Sequence, residues 1–227
     1  MKNRLLEALP RKDRERLLES CEHVELKLSD VLLEPKQRIR YVFFPTGSII
    51  SLITPIDANA RLEVGLVGYE GVLGTSLVLG VNVARQRALV QGSGTALRIK
   101  AAPFCRELER SLPLRRGLNR YLYVTLCQVA LTAACTHFHV VEARLARWLL
   151  MTCDRAHSDQ FYITQEFMSY MLGVRRAGVT AAAGLLRERK LIRYSRGQIT
   201  ILNRRGLQGA ACTCYAAARD AYASILG

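Results

Sequence analysis

The sequence is poor in acids and in lysine. Against 33 Lys and Arg stand 19 Asp and Glu, and only 6 of the cations are lysine. It has no acidic tract, no stretch rich in Pro, Gly and Ser, and no low-complexity run, which excludes a disordered tail or a linker-dominated chain. No G-x-S-x-G, P-loop, HExxH or paired-Cys zinc pattern appears, and Gly65-Leu66-Val67-Gly68 is too short for a dinucleotide fingerprint. These absences point away from an enzyme. Met1–Arg16 is charged throughout and lacks the apolar core of a secretory signal. The seven cysteines, at 21, 105, 127, 135, 153, 212 and 214, are odd in number and lack framework spacing. The expectation is a cytoplasmic chain with reduced thiols and no bound metal.

The charge that is present is uneven. Of a formal +14, half falls in residues 160–210, where Arg175, Arg176, Arg187, Arg189, Lys190, Arg193, Arg196, Arg204 and Arg205 face only Glu166 and Glu188. Such a concentration suits a phosphate-contacting surface. A membrane partner has one candidate, Tyr121–Val141, which contains no Asp, Glu, Lys or Arg. Thr125, Gln128, Thr132, Thr136, His137 and His139 load it with polar groups, so the reading is a buried dimer or interdomain helix and no membrane.

At 227 residues the chain suits two domains. Val24–Leu28, Val31–Leu33, Tyr41–Phe44, Ser48–Thr54, Leu62–Val67 and Ala88–Val90 are short β-prone runs punctuated by Gly and Pro, which predicts a β-sandwich or β-roll. From Pro103 the texture turns helical. Pro113 fits the first turn of a long helix in which Leu114, Leu118, Tyr121 or Leu122, Thr125, Val129 and Thr132 recur at spacings of three and four. Running to Thr136, it would be ~36 Å long at 1.5 Å per residue. Such a helix needs cover on most of its surface, and a second copy packed through residues 113–136 is the expected source. A further helix is predicted over Val140–Arg155, with Leu145, Trp148, Leu149 and Thr152 inward.

Residues 163–202 carry the sharpest signal. Thr164 can cap a helix bearing Phe167, Met168, Met171 and Leu172, with Gln165 and Glu166 in its first turn. Gly173 ends that helix, where a left-handed residue is required. A second helix follows Val174, over about 174–187. Val174, Val179, Leu185 and Leu186 face inward, and Arg175, Arg176, Gly178 and Thr180 cluster at its outward N-terminal end. Leu191-Ile192 and Ile199–Leu202 read as two strands with Gly197 between them, and Arg193 and Arg196 on the resulting wing. Helix, turn, helix and wing together are a double-stranded DNA-binding unit. The second helix enters the major groove and the wing arginines lie on backbone phosphate.

The pattern T-x₈-G-V-R-R-x-x-V-T, followed by L-I-x-Y-x-R-G, resembles the Crp/Fnr family of bacterial transcription regulators. The resemblance extends over nearly the whole chain and implies an α+β fold. It comprises an N-terminal β-roll sensor domain (1–110), a dimerisation helix (111–138) and a C-terminal winged helix-turn-helix (139–227). By resemblance, Arg176 matches the arginine that reads guanine. Ala177 and Ala181 stand where the cAMP receptor protein has a base-contacting glutamate and a second arginine. The family's phosphate-binding cassette is similar to GTSLVLGVNVARQRALV: Gly74 fits its glycine, Thr75 replaces the ribose-binding glutamate, Arg85 fits the phosphate arginine, and Gln86 replaces a Ser or Thr, with Arg87-Ala88 as a second register. Losing the carboxylate removes a charge-assisted hydrogen bond, at a cost of about 1.5–3 kcal/mol, so the resemblance implies an effector other than cyclic AMP. A cyclic-nucleotide-responsive regulator, and a sensor whose winged helix binds a protein, remain as alternatives. Cys21 alone cannot supply the N-terminal cysteine group of the family's iron–sulfur sensors. His137 with His139, and Cys212 with Cys214, are each only a pair, short of a closed zinc site. RNA polymerase is the further partner that the resemblance implies.

Overall fold

The structure is a computed structural model that describes residues 2–56 and 61–227. Two short helices open the chain, α1 (Arg4–Glu7) and α2 (Arg11–Glu19), separated at Pro10. Seven strands follow: β1 (Cys21–Leu26), β2 (Val31–Leu33), β3 (Tyr41–Pro45), β4 (Ile49–Pro55), β5 (Arg61–Val67), β6 (Arg87–Gly92) and β7 (Gly94–Lys100). They form two antiparallel sheets, ordered β1-β7-β3 and β2-β6-β4-β5. The central strand of the first sheet, β7, is the one the sequence reading did not separate. Its Arg98 and Lys100 and the glycines before it hide an inward set of Ala96, Leu97 and Ile99.

The rest is mainly helical: α3 (Ala101–Arg110), α4 (Leu112–Phe138), α5 (Val141–Ala156), α6 (Gln165–Leu172), α7 (Arg176–Glu188), α8 (Arg204–Ala210) and α9 (Cys214–Leu226). Strands β8 (Gln160–Tyr162), β9 (Ile192–Ser195) and β10 (Gln198–Ile201) make a small sheet ordered β8-β10-β9. The α+β fold with a β-roll, a long helix and a winged helix-turn-helix is therefore present. Ser111 caps α4 by accepting from the Leu114 amide, and Pro113 sits in the first turn.

The expected inner stripe of α4 holds at Leu114, Leu118 and Tyr121 and then drifts. Val124, Gln128 and Cys135 are buried in place of Thr125, Val129 and Thr132. The reason is a change of partner. The first half of α4 lies on the β-roll core, and the second half lies along α9, a helix the sequence reading did not foresee. Tyr222 and Leu226 of α9 return to the β-roll core, so the C-terminal segment is packed against the first half of the chain.

Two cores meet at α5. One belongs to the β-roll and α1–α4. The other is built from α5–α8 and the wing, and β4 and β5 lend it Ile49, Ile53 and Leu66. The seam between them carries buried polar groups. Arg155 Nε lies 2.8 Å from Glu70 Oε1, with both side chains buried. Trp148 Nε1 donates to Glu63 Oε1 at 2.8 Å, and Gln91 Nε2 donates to Thr152 Oγ1 at 3.3 Å. Ser51 Oγ sits 2.7 Å from Glu63 Oε2 and 2.5 Å from Gln91 Oε1. A hydroxyl has one proton and cannot serve both acceptors. Protonation of Glu63 removes the conflict: the neutral carboxyl donates to Ser51, which donates to Gln91, whereas the ionised carboxylate accepts from Ser51. Burial pushes the Glu63 carboxyl up to about 7, against the hydrogen bonds from Ser51 and Trp148 and the nearby Arg155 and Arg147, which pull it down.

This raised value makes the seam pH-dependent. The folded protein holds the Glu63 proton more tightly than the unfolded chain does. Its contribution is complete below the unfolded value and lost as pH rises through about 7. Thermal unfolding followed by circular dichroism should show a melting temperature that declines from about pH 5 to about pH 8. In Glu63→Gln, whose amide can donate to Ser51 and accept from Trp148, that decline should flatten. An unchanged slope in the variant would assign the dependence to other groups.

Candidate nucleic-acid interface

Each part of the helix-turn-helix follows from local chemistry. Thr164 is extended and caps α6, its hydroxyl accepting from the Phe167 amide at 3.1 Å. Gly173 ends α6 in the left-handed region at φ 61. The Val174 amide reaches back to the Ser169 carbonyl and the Gly173 amide to that of Tyr170, so the helix closes in a Schellman motif. Arg144 of α5 adds a donor from outside by bonding the Leu172 carbonyl. Helix α7 starts at Arg176, two residues later than the sequence reading placed it, because Arg175 is the extended N-cap. Val179, Ala182, Ala183 and Leu186 are buried against α5 and α6, whereas Leu185, expected inward, is exposed. It stands about 100° around the helix axis from Leu186, off the face that Val179, Ala182, Ala183 and Leu186 bury.

The wing is a two-residue hairpin. Ser195 pairs with Gln198, and both intervening residues have positive φ, Arg196 at 49 and Gly197 at 82. That is the geometry of a type I′ turn, which matches the twist of the strands. A Cβ at Gly197 would lie 2.5 Å from the Tyr162 ring, so β8 packs beneath the turn and fixes its height. Neither β8 nor Tyr162 figured in the sequence reading. Three residues bounded by Ser158-Asp159 and the cap of α6 are too short for a periodic signal.

Most of the predicted DNA-contacting residues are exposed on the helix-turn-helix and its wing. Arg175, Arg176, Thr180, Arg193 and Arg196 are exposed, and Gln165 and Gly178 are half-buried between them. The Thr180 hydroxyl lies 3.0 Å from Gln165 Oε1 and 3.0 Å from the Arg176 carbonyl, so the start of α6 is joined to the first turn of α7. Of the nine cations in 160–210, two are spent inside the fold: Arg189 pairs with Glu142 at 2.7 Å, and Arg204 pairs with Asp154. Among the described residues, Arg175, Arg176, Arg193 and Arg196 have no carboxylate partner. Unpaired guanidinium groups beside the N-terminus of α7 make a site for anions and for acceptor edges.

The expected effector residues form no comparable group. Gly74, at φ 105, precedes a short 3-10 helix (Thr75–Leu79), and Thr75 is half-buried at its start. Arg85 is exposed, and Gln86 is half-buried beside it. Arg87 lies 3.1 Å from Glu34 and is neutralised there. A cavity of about 730 Å³ opens elsewhere, between the β-roll, α5 and α9, with Arg4, Glu70, Asp154, Arg155, Arg204 and Tyr222 in its wall.

The two pairs that the sequence offers, His137 with His139 and Cys212 with Cys214, share one cluster through His139. His139 meets both Cys212 and Cys214, and Cys135 joins them. His137 is exposed outside this group. The hydrogen bond with Cys212 draws the Cys135 thiol down toward thiolate, helped by His139 and Arg147, and the same contact pushes Cys212 up. Nothing in the spacing of 135, 139, 212 and 214 reveals this, because the fold of α9 back onto α4 creates it.

Comparison with known proteins agrees with this geometry. The Crp-like helix-turn-helix domain matches residues 143–210. No curated protein matches the sequence. Among solved structures, FixK2 from Bradyrhizobium japonicum is similar at 14% identity and a TM-score of 0.72, over 85% of this chain and 98% of that one. The c-di-GMP responsive global regulator CLP of Xanthomonas campestris is similar at 14% identity and a TM-score of 0.69, over 85% and 99%. A Crp/Fnr-family transcriptional regulator from Thermus thermophilus is similar at 19% identity and a TM-score of 0.67, over 84% and 98%. At these identities the structures speak for the fold, and the matched domain speaks for the helix-turn-helix. Residues 143–210 thus carry a Crp-like helix-turn-helix domain, and the chain as a whole shares the fold of these Crp/Fnr-type structures.

Proposed function

We propose that the chain acts in the cytoplasm as a homodimer that binds a near-palindromic operator, with α7 of each protomer in a major groove. The observation that carries this reading is the set of exposed, unpaired guanidinium groups at the head of α7 and on the wing. Arg176 and Thr180 stand one turn apart on the exposed face, where a side chain can reach a base edge. Arg176 reads guanine through O6 and N7, while Arg175, Arg193 and Arg196 hold phosphates, with Thr164, Gln165 and Gly178 shaping the approach. RNA polymerase is a further partner on this reading.

The dimer reading rests on α4. Only 22% of its most apolar 18-residue stretch is buried within the protomer. Asn119, Tyr123, Leu126, Ala130, Ala133 and His137 are all exposed and follow one another at spacings of four and three. That is a heptad seam, which two copies can close as a coiled coil, with the alanines allowing close approach. On this reading residues 1–110 sense, 111–138 dimerise and 139–227 bind DNA.

The signal is read as something other than cyclic AMP. Thr75 offers no carboxylate to a ribose hydroxyl, and Arg87 is already engaged by Glu34. Gly74, Thr75, Arg85 and Gln86 would then line a β-roll surface that has lost the family's nucleotide chemistry.

Two outcomes test the proposal. In fluorescence polarisation with an operator selected from random DNA, Arg176→Ala should lose ~1–3 kcal/mol on the operator and much less on unrelated duplex. Arg196→Ala should weaken both alike and reduce the salt dependence. Equal loss on the two DNAs for Arg176→Ala would remove its reading role. In light scattering after gel filtration, the wild type should have the mass of two chains and Leu126→Lys the mass of one; a dimeric Leu126→Lys would place the interface elsewhere.

A further inference from the structure

Four metal-ligating side chains converge where α4 ends. Cys135 lies in its last turn and His139 caps it, while Cys212 and Cys214 bracket the turn from α8 into α9. Their ligand atoms all lie within 4.8 Å of one another. Cys135 Sγ is 3.4 Å from Cys212 Sγ, and Cys214 Sγ is 3.6 Å from His139 Nδ1. A tetrahedral zinc ion with Zn–S near 2.3 Å sets its thiolate sulfurs about 3.8 Å apart. Three cysteines and one histidine are also a closed, structural zinc set. An iron–sulfur cluster spreads its thiolates around several irons and needs them farther apart than they lie here.

The surroundings favour an anionic centre. The three thiols are buried in a small cluster of their own, flanked by Leu131 and Ala143. Arg144 and Arg147 of α5 are buried beside it, and both interact electrostatically with Cys135. Neither has a carboxylate partner among the described residues, and Arg147 Nε has no hydrogen-bond acceptor. Metal-free, the cluster offers these two buried cations at most the single charge of Cys135. Zinc with three thiolates and a neutral imidazole carries a net charge of minus one, which answers that demand.

We propose that Cys135, His139, Cys212 and Cys214 bind one zinc ion per protomer. The three thiols lose their protons to solvent as the Zn–S bonds form, with no change of oxidation state. The ion clamps the joint at residues 139–140, where α4 gives way to α5, to the turn that starts α9. Arg144 extends the clamp by bonding the Leu172 carbonyl, one residue before Gly173. The metal thereby sets how the helix-turn-helix stands on the long helix. It is independent of which DNA sequence the protein reads.

Metal content tests this without any DNA. The full chain, purified under reducing conditions, loaded with zinc and passed through gel filtration, should retain one zinc per protomer by elemental mass spectrometry. Cobalt(II) in its place should give tetrahedral d–d bands and sulfur-to-metal charge transfer. In Cys135→Ser/Cys212→Ser the occupancy should fall close to zero. In Cys105→Ser/Cys127→Ser, which lie outside the cluster, it should stay at one. Should the first variant fail to fold by circular dichroism, the wild-type cobalt spectrum decides alone. A wild type that retains no stoichiometric zinc, binds cobalt without charge transfer, or shows a Cys135–Cys212 disulfide by intact mass under these conditions overturns the proposal. So does equal metal loss in the control variant.

Discussion

The placement of the reading head depends on the seam along α5. This helix is buried on nearly all sides, with the β-roll on one and the helix-turn-helix on the other. Its buried polar contacts, Trp148 to Glu63 and Arg155 to Glu70, require specific partners in a way that apolar packing does not. Removing one partner strands the other away from water, so the arrangement of the two halves is held by pairwise matching more than by area. Such a joint is firm in one geometry, yet depends on few groups.

A second contact joins the two halves beside that joint. The β5 edge reaches the first helix of the DNA-binding unit directly. Arg61 stacks over Tyr170 at 4.8 Å, and the Leu62 side chain touches Gly173. A change in β4 or β5 bears on the cap of α6 at first hand.

Much of the fold was legible because its signals are local. Thr164, Gly173 and Gly197 each meet a backbone need that few residue types satisfy, and they fixed the helix-turn-helix to within a residue or two. Tyr41–Phe44 and Leu62–Val67 mark two strands as short β-prone runs bounded by Gly or Pro. What could not be read depends on contacts far apart in the chain. The return of α9 onto α4 shifts the buried face of α4 from Thr125 and Val129 to Val124 and Gln128. The same return joins Cys135 and His139 to Cys212 and Cys214, which lie more than 70 residues further along the sequence. The cassette residues were found as a pattern, but pattern does not reveal that Arg87 is already matched by Glu34.

Gly173 shows how closely two duties can be superposed. Its left-handed backbone closes α6, and its missing side chain leaves room for Leu62, whose Cδ1 would stand 3.0 Å from a Cβ there. A substitution at this position would therefore disturb the turn after α6 and its contact with the β-roll together, with no way to separate the two from phenotype alone. Second-site suppressors would divide them. A smaller residue at 62 restores space but not the turn, and so could rescue only the steric share of the damage.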